Sequence, residues 1–291
     1  MRAYLQLMRP ANLVTAVADV LAGAALGSVL TNTPITDLHG LVHLMLATIC
    51  LYGGGVVMND VFDAELDAVE RPERPIPGGR VSKQGATLLG VGLLLAGIVI
   101  AALFREISGL LAVLIALLAV VYDRYGKHHP VIGPINMGLC RGVNLQLGMT
   151  LIITGYSAAK WLGLIPVIYI AAITMISRDE VHGGKRKTLY WAGILYALVS
   201  VSQLVVATQT GNIYLTAAFV VLHLFLILKP LLTAIRQPIG PNIGKAVKAG
   251  VLSLIVMDAA WVSVSGNWML ALGVLALLPV SMLLAKAFAV T

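Results

Sequence analysis

The residues best suited to chemistry crowd into one stretch, Asn59-Asp60-Val61-Phe62-Asp63-Ala64-Glu65-Leu66-Asp67. On a helix, positions 59, 63 and 67 fall at i, i+4 and i+8, and Asp60 lies three before Asp63, so an amide and three carboxylates share a face. Like charges at that spacing weaken a helix by roughly 0.2–0.5 kcal/mol per pair, and a divalent cation relieves the repulsion. Oxygen-only donors suit magnesium, which keeps several waters and takes one or two carboxylates together with phosphate oxygens. The same pattern also fits a solvated acidic helix end.

Directly after it come Arg71 and Arg74-Pro75-Ile76-Pro77-Gly78-Gly79-Arg80. Prolines at 72, 75 and 77 forbid a helix, and the glycine pair turns the chain back. Arginine grips phosphate through a planar fork, so metal ligands followed by arginines suggest a diphosphate held from both sides. Contact with anionic lipid heads is the alternative for this loop. A second loop repeats the theme: Arg178-Asp179-Glu180-Val181-His182-Gly183-Gly184-Lys185-Arg186-Lys187. Tyr122-Asp123-Arg124-Tyr125-Gly126-Lys127 supplies a further basic handle between them. Two acidic loops meeting over one cavity would make a two-metal diphosphate site.

The elements that must position these loops are membrane spans. With 59% hydrophobic and 11% charged residues among 291, the chain cannot clothe a water-soluble domain. Mean hydropathy is +0.92. Apolar segments run over Ala11–Leu30, Val42–Met58, Ala86–Phe104, Ile107–Tyr122, Gly133–Thr154, Trp161–Ile176, Leu189–Ala207, Ile213–Leu228, Ala246–Val264 and Trp268–Phe288. Each approaches the ~20 residues needed to span a hydrocarbon core, which implies an all-α polytopic bundle. The first segment lacks the short core and cleavage site of a signal peptide and is read as a mature helix. Cys50 and Cys140 lie inside apolar segments, where they read as packing residues.

Orientation follows from the basic residues, which short loops retain on the cytoplasmic side. With the N-terminus inside, all but Arg105, Lys160 and Arg141 of the 20 Lys and Arg fall on that side. The net charge of +7 is therefore a topology signal, and nucleic acid is not an expected partner. Topology does not ask for acids there, yet Asp60, Asp63, Glu65, Asp67, Glu70, Glu73, Asp123, Asp179 and Glu180 share that face.

Asn59-Asp60-x-x-Asp63-x-x-x-Asp67 followed by Arg74-Pro75-Ile76-Pro77-x-Gly79 resembles the first aspartate-rich motif and following loop of the UbiA superfamily of intramembrane prenyltransferases. Arg9-Pro10-Ala11-Asn12 is similar to that family's first-helix signature, and Lys127 and Asp179-Glu180 fall where its fourth-helix lysine and second aspartate motif stand. The resemblance implies one domain over residues 1–291, a bundle of nine to ten transmembrane helices around a lipid-accessible cavity, capped by loops near 59–83 and 177–188. It implies magnesium-assisted transfer of an isoprenyl group from its diphosphate to an acceptor. By position, Asn59, Asp60, Asp63 and Asp67 would hold one magnesium, and Asp179 with Glu180 the other. Arg71, Arg74 and Lys127 would grip the diphosphate, with Asn12 a lesser contributor. The second motif departs from the family pattern, because Gly183 stands four after Asp179, so Glu180 or His182 would substitute. Histidine ligates magnesium poorly, which points His182 at phosphate or acceptor.

The magnesium and arginines would stabilise charge on the departing diphosphate while the carbocation meets a nucleophile away from water. Tyr122, Tyr125 and Tyr156 could steady the cation through their ring faces or simply lie at the membrane interface. Asp19, Arg141, Asn144, Gln146 and Asp258 are costly inside spans, about 2.5–3.5 kcal/mol for a central charge on insertion scales. An Asp19–Arg141 ion pair explains some of them. Alternatively Asp19 or Asn144 lies near the acceptor as proton acceptor, and Arg141 contacts substrate. His128, His129 and His223 read as interface or packing residues, and Gly23-x-x-x-Gly27 with Gly53-Gly54-Gly55 as close helix contacts. Three functions fit: prenyl transfer to an aromatic or hydroxyl-bearing acceptor, cyclisation of the isoprenyl chain on the same diphosphate site, and transport. Transport should show inverted symmetry and broken helices at mid-depth, and neither is evident.

Overall fold

Without water in the hydrocarbon core, backbone polar groups must be satisfied within each segment, so a chain of apolar runs folds as helices. The computed structural model describes residues 2–126, 129, 131–178, 180 and 183–288, and these form helices with no strand among them. The chain begins with α1 (Arg2–Met8), α2 (Pro10–Thr31) and α3 (Leu38–Phe62). It continues through α4 (Ala64–Glu70), α5 (Lys83–Phe104), α6 (Glu106–Val121) and α7 (Ile132–Met149). After α8 (Ile153–Ala159) and α9 (Leu164–Ser177) come α10 (Arg186–Thr210), α11 (Ile213–Arg236) and α12 (Gly240–Ser263). The last two are α13 (Trp268–Leu275) and α14 (Leu277–Ala287).

Local sequence sets several boundaries. Asp37, Ser82 and Asn267 cap α3, α5 and α13 by accepting from the amides of Gly40 (2.8 Å), Gly85 (3.0 Å) and Leu270 (3.0 Å). α10 stops at Gly211, whose φ of 76° suits a residue without a side chain.

Every apolar segment read from the sequence lies mostly in helix. Nine helical runs among the described residues are long and apolar enough to cross a membrane, including the composite runs Glu106–Gly126, Ile153–Ser177 and Trp268–Ala287. The exception is α7, which Asn136, Arg141, Asn144 and Gln146 make polar. It is nonetheless a central helix, packed along α2, α6 and α9. It ends at Met149, so the expected segment Gly133–Thr154 overran its end. The expected cap loop at 59–83 also contains a helical turn, α4, before its prolines act.

α2 and α12 are the most buried runs, at 67% and 72%, while the α13–α14 run is 17% buried. The outer helices turn Leu88, Leu103 and Phe225 outward, the exposure expected of a lipid-facing surface. α2 and α7 touch backbone to backbone: a Cβ on Gly23 would strike the Leu145 carbonyl, and one on Gly148 the Val20 carbonyl. Both ends of the chain lie on one face of the bundle. Arg2 donates to the Ala287 carbonyl (3.2 Å), and Ser281 Oγ donates to the Ala11 carbonyl (2.9 Å), tying α14 to the start of α2. Arg178, just past α9, donates to the His129 carbonyl in the α6–α7 connection at 2.7 Å, which brings the second loop to that side of the bundle.

Candidate active site

The cap-side end of the bundle opens into a cavity of about 690 Å³. α3 ends at Phe62, but hydrogen bonds from Asp63 N–H to the Asn59 carbonyl (2.9 Å) and from Asp67 N–H to the Asp63 carbonyl (2.8 Å) carry the helical spacing into α4. Asn59, Asp63 and Asp67 therefore all reach the cavity lining, as the i, i+4, i+8 pattern requires. Arg71, Arg74, Asn12, Tyr122 and Glu180 line the same space, so four separate stretches of chain converge there. Its wall also carries the apolar side chains of Leu51, Ile115, Ile170, Ile173, Val251 and Leu254, beside the polar Thr15, Thr48, Arg141 and Asn144.

Charge at the mouth is arranged in contacts. Asp67, 4% exposed, accepts from Arg74 Nη1 at 2.6 Å. Asn59 Nδ2 donates to Asp123 Oδ1 at 2.9 Å. Asp123 thereby enters the site as a buried carboxylate whose importance the sequence did not single out. Its only signal was an acid at the inner end of a span, beside Tyr122. Glu180 reaches in from the opposite loop and lies against α12. A Cβ on Gly244 would come within 2.8 Å of Glu180 Oε1, so glycine makes room for this carboxylate. Lys127, Asp179 and His182 lie outside the described residues.

Three expected site residues stand differently. Asp60, expected as a metal ligand, lines an adjoining recess instead of the cavity and accepts through Oδ1 from Arg9 (2.6 Å) and Arg74 (3.4 Å). Arg9 sits close enough to claim it because the chain breaks between α1 and α2. Arg141 and Asn144 do line the cavity, but their polar groups are engaged by neighbouring side chains and backbone. Arg141 Nε lies 3.0 Å from Asp19 Oδ2, Nη1 donates to Thr15 Oγ1 (3.0 Å) and Nη2 to the Thr15 carbonyl (3.2 Å). Asn144 donates to Asp19 Oδ2 and to the Ala16 carbonyl, both at 2.9 Å, and accepts from Thr48 at 2.6 Å. The Asp19–Arg141 ion pair was one of the two alternatives the sequence left open. Burying both partners is tolerable because each charge meets its opposite and further hydrogen bonds.

Of the tyrosines, Tyr122 lines the cavity, whereas Tyr125 is 68% exposed and Tyr156 packs into the apolar core on α8. His223 is a packing residue as expected, 3.1 Å from the Tyr169 hydroxyl. Among the described residues no group of three or more His, Cys, Asp and Glu side chains could hold a metal ion by itself. The oxygen-only donors around the cavity fit a different kind of site, in which one or two carboxylates share a hard cation with phosphate and water. Such a site is completed by its substrate.

Comparisons with known proteins bear on the family and the fold. A family model described as the UbiA prenyltransferase family matches residues 20–242. A digeranylgeranylglyceryl phosphate synthase from Methanothrix thermoacetophila is 38% identical over 50% of this chain and 52% of its own length. The enzyme of the same name from Ignicoccus hospitalis is 32% identical over 63% of this chain and 58% of its own length. Matching thus spans about half of the first relative and under two thirds of the second. The Methanopyrus kandleri protein of that name is 30% identical over 74% of this chain and 79% of its own length. Among solved structures, a UbiA homolog from Aeropyrum pernix K1 superposes with a TM-score of 0.65 at 18% identity, covering 84% of this chain and 96% of that one. A homolog from Archaeoglobus fulgidus, bound to GPP and Mg2+, gives 0.60 at 16% identity over 87% and 99%. At such identities the structures attest the fold alone. The family match over most of the sequence attests more: this chain belongs to the UbiA prenyltransferase family.

Proposed function

We propose that this protein transfers an isoprenyl group from an isoprenyl diphosphate to the hydroxyl of a lipid acceptor bearing a glyceryl phosphate head, at the cytoplasmic face of the membrane. One observation carries the site: Asn59, Asp63, Asp67, Glu180, Arg71 and Arg74 line a single cavity that also holds a run of apolar side chains. Relatives named for digeranylgeranylglyceryl phosphate suggest the acceptor, since that product is a glyceryl phosphate with two isoprenyl chains. A fold neighbour bound to GPP and Mg2+ supports donor and cation. Basic residues on the cap side support the cytoplasmic placement.

The donor's chain lies among Leu51, Ile115, Ile170, Ile173, Val251 and Leu254, where water has little reason to follow. Its diphosphate reaches the mouth, where the forks of Arg71 and Arg74 donate to phosphate oxygens. Asn59, Asp63 and Asp67 on one side and Glu180 on the other would hold magnesium, with Asp179 as a further ligand, while Lys127 would grip the diphosphate and His182 would touch phosphate or acceptor. When bound, that ion neutralises charge on the departing diphosphate. The allylic C–O bond breaks with its electron pair going to the diphosphate oxygen. The acceptor hydroxyl oxygen then bonds the allylic carbon, forming an ether as its proton passes to the released diphosphate. Tyr122 can offer its ring face to the transient cation.

The test is to incubate purified protein with labelled isoprenyl diphosphate, magnesium and a monoprenyl glyceryl phosphate, then identify products by mass. A diprenyl glyceryl phosphate is expected. A cyclic hydrocarbon formed without acceptor, or transfer only to aromatic acceptors, overturns the reading.

A further inference from the structure

A second recess of about 460 Å³ adjoins the cavity on the far side of its arginines. Arg9, Asn12, Arg71 and Arg74 border both spaces. Only the recess has the apolar side chains of the last helix and its end as a wall, through Leu284, Ala285 and Phe288. That wall is fixed in place, because Ser281 of α14 bonds the Ala11 carbonyl at 2.9 Å.

The shared arginines are held so as to keep donors in hand. Arg9 precedes α2 in a left-handed conformation, φ 48° and ψ 68°, unusual for a residue with a side chain. Such strain costs on the order of 1–3 kcal/mol and persists where surrounding contacts fix it. Here it accompanies an ion pair to Asp60 at 2.6 Å, made through one nitrogen of a five-donor fork that stays 34% exposed. Arg71 makes no side-chain hydrogen bond or ion pair with another described residue and borders both spaces. Asp60 thus acts as a bracket for Arg9 and Arg74, leaving N–H groups of Arg9 and Arg71 for an outside anion.

We propose that this recess binds the phosphate monoester of the lipid acceptor, with the acceptor's chain running along Leu284, Ala285 and Phe288. The proposal rests on the reading of the protein as a lipid prenyltransferase and adds where the acceptor's head lies. Donor diphosphate and acceptor phosphate would then occupy opposite sides of one arginine wall, with the acceptor hydroxyl directed past Asn12 toward the allylic carbon. Arg9 is a binding residue for the acceptor, and α14 forms its apolar track.

The experiment measures KM for labelled isoprenyl diphosphate and for two acceptors, a monoprenyl glyceryl phosphate and the same prenylglycerol without phosphate. Soluble glycerol phosphate forms a third arm. Wild type should prefer the phosphorylated lipid by about tenfold or more over either other acceptor. Arg9→Gln should erase the preference for phosphate, Arg9→Lys should restore part of it, and Ala285→Trp should raise KM for the lipid acceptor by about tenfold. Donor KM should stay within about twofold in Ala285→Trp, which touches only the recess. Folding of each variant is checked by saturable donor binding. Retained phosphate preference in Arg9→Gln, or an unchanged acceptor KM in folded Ala285→Trp, overturns the proposal. Equal use of soluble glycerol phosphate overturns the lipid track. A wild type that prenylates neither lipid acceptor overturns the proposed glyceryl phosphate acceptor itself, an outcome distinct from both.

Discussion

At the scale of single residues, position around the cavity sorts acids of similar sequence context into different jobs. Asp67 is buried against Arg74, whereas Glu65 is on the outside of the same turn, its side chain 94% exposed in a loose pair with Lys83. An exposed pair contributes about 0–1 kcal/mol at most. Asp63→Ala and Asp67→Ala should therefore each lower kcat by roughly 10²-fold or more, the scale for removing one preorganised electrostatic group, with the protein still folded in detergent. Glu180→Ala should damage turnover more than Glu65→Ala, as steady-state kinetics would show. Equal rates for those two would mean that the second loop takes no part. In the cavity wall, Arg141→Met leaves Asp19 buried without its counter-ion and should cost about 3–5 kcal/mol. Pairing it with Asp19→Asn should recover most of that loss. Thermal unfolding of the two variants checks this, and a double variant no more stable than the single one would argue against the ion pair.

Among the elements, close backbone contact decides where the site residues can stand. α2 and α7 approach through Gly23 and Gly148, and this brings Arg141 and Asn144 of α7 against Thr15, Ala16 and Asp19 of α2. Gly148→Val should force the helices apart, destabilising by about 1–3 kcal/mol or more, and the folded fraction after detergent extraction should fall. Unchanged thermal stability would show that the contact is looser than described. Gly244→Val should displace Glu180 and lower turnover while leaving the unfolding temperature nearly unchanged. Much of this layer was legible in the sequence, since long apolar runs in a chain with few charges have no other stable state. The spacing of Asn59, Asp63 and Asp67 likewise carried through to one cavity wall. What stayed hidden depends on distant packing. Arg9 takes Asp60 across 51 positions and Asn59 reaches Asp123 across 64, and no local periodicity reports either. The end of α7 was misplaced because the apolar residues after Met149 continue the run although the chain turns there. α4 follows the helical spacing read through Asp67, and the cap loop begins only where the prolines do, at position 72.

For the whole molecule, the helices alternate so that acids, arginines and both chain ends gather at one face, above a partly apolar chamber. This sidedness predicts a labelling pattern. With Cys50 and Cys140 replaced, Arg2→Cys and Lys286→Cys should react with a membrane-impermeant maleimide from the same side, and Thr33→Cys only from the other. Opposite accessibility of Arg2→Cys and Lys286→Cys would contradict the even number of crossings implied by the Arg2–Ala287 contact. Under the proposed function, water-soluble and lipid-soluble parts of one substrate would meet matching surroundings along α3, at Asn59 and at Leu51. The proposed function depends on the cap-side cavity gripping a diphosphate with the help of a divalent cation. The most direct measurement is equilibrium binding of a labelled isoprenyl diphosphate to purified protein, with magnesium or with chelator, in wild type and in Asp67→Ala. Saturable binding that requires magnesium and disappears in Asp67→Ala is the expected result. Equal binding in chelator, or undiminished binding by the variant, would contradict it.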